Sequence, residues 1–121
     1  MKKTIGAALL AATILAGGPV AIAAPTDARS CAVRFVAMRN MSSYAVNDPK
    51  SQAQSKIYGI RAAEVAAKGK IIPSATSPLP KDLTDEGAAL VVRFMNGLVS
   101  DVQLAGELTA CQAVYGYDTL N

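Results

Sequence analysis

The chain has no histidine and no tryptophan, and only two cysteines and two phenylalanines. Without histidine there is no Ser-His or Cys-His relay, the commonest general base is missing, and zinc sites built on Cys and His cannot be assembled. No CxxC pair, glycine-rich phosphate loop, nucleophile elbow or EF-hand spacing occurs. Strand-like alternation of useful length and internal repeats are also missing. At 121 residues there is room for one domain. An enzyme is therefore not expected, and no catalytic residue, cofactor or metal is assigned. Chemistry by carboxylates or arginine is the one enzymatic alternative left.

The N-terminus reads as an export signal. Lys2 and Lys3 form a positive start, residues 5–15 an apolar run, Gly17-Gly18-Pro19 a helix break, and Ala21-Ile22-Ala23 a small-x-small cleavage site. A signal peptide is expected over residues 1–23 and an exported domain over 24–121. The apolar run is shorter than the roughly 20 residues a spanning helix needs, and none follows it, so no transmembrane segment is expected after cleavage. The expected destination is the periplasm, or the extracellular space where there is no outer membrane.

Removing residues 1–23 changes the charge argument. The net charge of +3 falls to +1, from ten basic and nine acidic residues. Residues 24–81 carry nine basic against three acidic residues, +6, and residues 82–121 one basic against six acidic, −5. No nucleic-acid-binding pattern accompanies the basic half, so no specific nucleic-acid partner is expected. The favoured reading is that two helical hairpins of opposite charge dock on each other. The alternative is that Lys50, Lys56, Lys68, Lys70 and Lys81 face an anionic partner, such as lipid headgroups or an envelope polymer.

The fold class expected is all-α: a small four-helix, bundle-like domain with one long proline-containing crossover and a single disulfide. Helix one is read over about residues 27–45, capped by Asp27 or Ser30, with two apolar faces that bury it on two sides. On it, Arg39 needs a carboxylate partner or a snorkelling path to water. Asp48 and Pro49 start helix two, which runs to Lys68 with a polar stripe of Gln54, Arg61, Glu64 and Lys68, Glu64 placed to pair with Lys68 one turn on, and an apolar side of Tyr58, Ala62, Val65, Ala66 and Ala67; Gly69 ends it. Residues 69–82 hold three prolines and are read as a crossover pinned to the core by Ile71 and Ile72. Helix three begins at Asp82 or Thr84 and carries a wide apolar run to Val99. Asp101 caps helix four, and Gly116 ends it.

In an exported chain two cysteines pair. A Cys31–Cys111 bridge closes a loop of about 80 residues, which loop entropy values at roughly 4.5 kcal/mol. Met38, Met41 and Met95 read as core filler rather than a thioether metal site, and Asp82, Asp85 and Glu86 as helix-start acids. Asn40-Met41-Ser42 matches a glycosylation acceptor but falls inside a helix. The combination of signal peptide, about 100 mature residues, all-helical pattern and one long-range disulfide resembles the small periplasmic acid-stress chaperones. The likeness is one of architecture, and no residue roles follow from it.

The function expected is a non-enzymatic binding or interaction module of the cell envelope, its partner an envelope protein or anionic envelope polymer. The candidate interaction surface is Lys68, Lys70, Lys81, Tyr58 and Arg39. The resemblance implies the alternative, an acid- or stress-responsive holdase. Protonating all nine acids would take the mature charge to about +10 and remove the attraction between the halves.

Overall fold

The structure is a computed structural model and describes residues 24–120; the expected signal peptide, residues 1–23, lies outside them. Four helices form: α1 (Ala28–Ser43), α2 (Pro49–Lys68), α3 (Lys81–Met95) and α4 (Asp101–Tyr115), with no strand among the described residues. None of these helices is long and apolar enough to cross a membrane.

Helix starts follow local chemistry. The Asp27 carboxylate accepts from the Ser30 N–H at 3.0 Å, and Asp48 accepts from the Lys50 N–H ahead of a helix that begins on proline. Two starts differ from expectation. Ser100, not Asp101, caps α4 by accepting from Gln103 N–H at 3.1 Å. α3 begins at Lys81, before the expected Asp82 or Thr84, and Pro80 at its cap position has no side-chain acceptor; Asp82, inside the first turn, pairs with Arg29 of α1.

Three helix ends share one device. Beyond α2, the Lys70 N–H donates to Ala67 and the Ile71 N–H to Ala66; Gly97 with Leu98 and Gly116 with Tyr117 repeat the pattern after α3 and α4. Each is a Schellman ending, with the left-handed residue at Lys70, Gly97 and Gly116. The ending at Gly97 stops α3 at Met95, short of the apolar run to Val99 read from the sequence.

Gly69 does not supply the left-handed residue. It keeps a negative φ of −83°, and its missing Cβ instead lets the end of α2 rest on Ala28. Gly87 does the same for α3, where a Cβ would run into Val36 of α1. These two contacts bring both flanking helices close to α1.

α1 is the hub. Cys31, Ala32, Val33, Phe35, Val36 and Ala37 are all buried, which takes in the first part of both apolar faces foreseen for this helix, while Tyr44 and Ala45 beyond its end at Ser43 are exposed. α2 covers one side with Tyr58, Ala62, Val65 and Ala66, and α3 another with Leu83, Leu90 and Val91. At about 25 cal/mol per Å² of buried apolar surface, a core of this kind supplies most of the drive to fold. α3 and α4 each pack on α1 rather than on one another, so the second half is not the docking hairpin expected. α4 is tied by the Cys31–Cys111 disulfide, whose Cα atoms are 5.5 Å apart and whose cysteines are both fully buried. The crossover is pinned by Ile71 and Leu79, while Ile72 is 81% exposed.

Candidate interaction surfaces

The residues singled out in the sequence do not form one surface. Lys68 and Lys70 end α2 and Lys81 opens α3, close to the start of α1, where Gly69 meets Ala28 and Arg29 meets Asp82. Arg39 lies about ten residues further along α1, roughly 15 Å at 1.5 Å per residue. Tyr58 is only 4% exposed and packs against Phe35, so it is not part of any surface; its place in the apolar stripe of α2 puts it under α1. Burial pushes its phenol pKa up.

The three lysines have separate fates. Lys81 pairs with Asp85 one turn on, at 2.7 Å, and Lys70 occupies the left-handed position. The Lys68 ammonium sits 5.8 Å from the ring centroids of both Tyr115 and Tyr117, so the expected Glu64–Lys68 pair gives way to a cation–π contact. Glu64 instead accepts from the Tyr117 hydroxyl at 2.6 Å. Arg61, read as part of the polar stripe, is buried: it stacks over Tyr117 at 4.7 Å and donates to the Asp118 carbonyl at 2.9 Å. The chain after α4 thus folds back over α2, a contact that helical periodicity does not encode.

Opposite charges do meet across the halves. Arg29 bridges Asp82 and Glu86 at 3.1 and 3.2 Å, and Arg34 pairs with Glu107 at 3.0 Å. Asp82, Asp85 and Glu86 are thereby divided between Arg29 and Lys81 and do not converge on a common point.

Beside a polar hollow of about 390 Å³ over the Arg29 and Arg34 pairs, also lined by Glu86 and Arg93, two further concave regions lie among the described residues. The first is an apolar groove of about 280 Å³ where α3 and α4 leave α1 uncovered, lined by Met38, Met41, Phe94, Leu104, Ala105 and Leu108, with Asp101 at its edge. Asp101 has no ion-pair or hydrogen-bond partner for its side chain among the described residues. In the segment bordering the groove, Met95, Leu98 and Val102 are 69%, 72% and 83% exposed. Met38 and Met41 pack against the core as read and also wall the groove; Met95 is on the surface, a correction to its reading as core filler. The groove was missed because its residues look like ordinary core positions. The overlooked signal was Gly97, which ends α3 early and leaves Leu98 outside.

The second is a cleft of about 520 Å³ between α1 and α2, lined by Arg39, Pro49, Gln52, Ser55, Lys56 and Gly59. The Arg39 stem passes over Gly59, and its Nε donates to Asn40 Oδ1 at 3.3 Å. It has found the snorkelling path rather than a carboxylate partner.

The chain matches no known family model, no curated protein and no solved structure.

Proposed function

We propose that this is an exported, non-enzymatic interaction module of the cell envelope, which holds an amphipathic segment of a partner protein in the groove between α1, α3 and α4. The observation that carries this reading is the groove itself: an apolar trough with a flexible methionine wall and an unpartnered carboxylate at its edge. Methionine adapts to varied apolar side chains, and Asp101 favours a segment that places a Lys or Arg beside its apolar face. Export is supported by the pattern of residues 1–23 and by a disulfide of the kind oxidising compartments sustain. This reading moves the contact region from the basic crossover to the groove.

The test is a titration with a Leu/Lys amphipathic peptide followed by methyl chemical shifts. Shifts are expected to cluster at Met38, Met41, Leu104 and Leu108. Leu108→Lys should weaken binding roughly ten-fold, the order of one buried Leu side chain, while Lys68→Ser, Lys70→Ser and Lys81→Ser together leave it unchanged. Shifts confined to residues 68–81 would return the contact to the crossover.

One observation favours a second reading, the acid-responsive holdase. All four ion pairs among the described residues join the basic half to the acidic half, and the three made by Arg29 and Arg34 also tie α1 to α3 and α4, so protonating carboxylates removes those ties. α4 would then be held chiefly by its disulfide, with its apolar side free to engage a client. Suppression of client aggregation and binding of an apolar dye near pH 2–3 are the expected results. A compact, dye-negative protein at that pH removes this reading.

A further inference from the structure

The end of the molecule formed by the α1–α2 turn carries a second set of features that the groove does not use. Arg39 and Lys56 line one cleft, and neither has a carboxylate within ion-pair distance among the described residues. Lys50 in the first turn of α2 is also exposed and outside every ion pair found. The nearby carboxylate, Asp48, is engaged by its own helix, accepting from the Lys50 N–H at 3.1 Å and the Ser51 hydroxyl at 2.8 Å. Three cations are thus left facing water at one end, in the half of the chain that carries the +6 charge.

Beside them the turn exposes apolar side chains. Tyr44 is 63% and Val46 73% exposed, and Ile60, one turn beyond Lys56, is 58% exposed. The turn is rigidly held: the Gln52 side-chain amide donates to the Ser43 and Ala45 carbonyls at 3.1 and 2.9 Å, and the Ser55 hydroxyl donates to the Arg39 carbonyl at 2.9 Å. An aromatic and a β-branched residue displayed on a braced turn, with unpaired cations on the two helices it joins, is the composition that partitions into the headgroup layer of an anionic bilayer.

We infer that the α1–α2 end docks on an anionic phospholipid surface: Arg39 and Lys56 take a headgroup phosphate in the cleft, and Tyr44 and Val46 enter the interfacial layer. The guanidinium suits a phosphate oxygen pair and Lys56 adds a point charge. Of the unpartnered acids, Asp101 borders the groove on the α3 and α4 side of α1, whereas the cleft opens between α1 and α2, and Asp118 lies in the chain that folds over Arg61.

Co-sedimentation of the protein with vesicles tests this. Phosphatidylglycerol vesicles are expected to bind and phosphatidylcholine vesicles to fail. Arg39→Gln with Lys56→Gln should weaken binding roughly 25-fold, at about a five-fold loss per cation. Tyr44→Ser with Val46→Ser should weaken it several-fold at unchanged charge, whereas Lys70→Gln with Lys81→Gln, at the far end, should have little effect. Circular dichroism confirms that each variant remains folded. Failure to bind phosphatidylglycerol vesicles, or equal binding to both vesicle types, overturns the inference. So does full competition by inorganic phosphate, or by soluble polyphosphate with no effect of the Tyr44 and Val46 changes, since either assigns the cleft to a free anion.

Discussion

Arg34 and Glu107 meet across 3.0 Å with side chains only 15% and 13% exposed, the most buried ion pair among the described residues. It is the polar tie between α1 and α4, and Arg34 also donates to the Ser30 carbonyl at 3.0 Å. Truncating one partner leaves a half-buried charge without its counterion, so Glu107→Ala should cost about 2–3 kcal/mol in urea unfolding. Glu107→Gln, which still accepts a hydrogen bond, should cost about half as much. A loss below about 0.5 kcal/mol for Glu107→Ala would show that the disulfide alone positions α4.

Lys70 and Gly69 should respond in opposite senses to exchange of side chains. Lys70 holds a φ of +57°, where a Cβ is crowded, so Lys70→Gly should raise stability by about 1 kcal/mol. A Gly→Ala change at a helix end with negative φ ordinarily stabilises, yet Gly69→Ala should destabilise by about 1–3 kcal/mol because the new methyl meets Ala28. Thermal unfolding of the two single variants checks both signs.

Gly87→Ala should be the more damaging of the two glycine substitutions, since its methyl meets two Val36 carbon atoms in the fully buried centre of α1. A loss of about 2–3 kcal/mol is expected. Val36→Ala in the same chain should return part of it, giving a coupling energy of about 1 kcal/mol in the double-mutant cycle.

Tyr117 makes stability sensitive to alkali. Burial, followed by its hydrogen bond to Glu64 and the Glu64 charge, pushes its phenol up from 10.0 to about 12. The folded state therefore holds the phenol proton more tightly than the unfolded chain. That contribution is fully present below about pH 10 and is lost as pH rises toward 12. Denaturant unfolding across this window should show a decline that Tyr117→Phe flattens, and the phenolate absorbance of this residue should appear near pH 12. At neutral pH the same change should cost about 1 kcal/mol for the lost hydrogen bond.

How far these features could be read in advance varies with their range. Asp27, Asp48 and Pro49 act within one turn of themselves, and the starts of α1 and α2 were legible for that reason. The Cys31–Cys111 pair was legible because two cysteines allow only one bridge. Tyr58 was assigned to the apolar stripe of α2 and also offered as a surface residue; only the first is compatible with its burial. Arg61 belonged to the polar stripe until the chain after α4 folded over it, and Lys68 exchanged Glu64 for two tyrosine rings by the same event.

The candidate surfaces depended most on contacts distant in sequence. Helical periodicity marks which residues are apolar, but not which of them a neighbouring helix will cover. Met38, Met41 and Leu108 look like core and line a groove, because α3 and α4 both pack on α1 and leave space between themselves. Arg39 looked in need of a carboxylate and found a cleft, because Gly59 gives its stem room to pass.

Helical periodicity, cap residues and a unique cysteine pairing are properties of the chain as a string, so the all-helical class, the starts of α1 and α2 and the disulfide were readable before any packing was known. Which helix stands at the centre, which glycine bends the backbone and which only makes room, and where apolar surface stays open were settled by packing. Those outcomes turn on the fit between elements tens of residues apart, where a missing Cβ at Gly87 or a helix ended one turn early at Gly97 changes what can be covered.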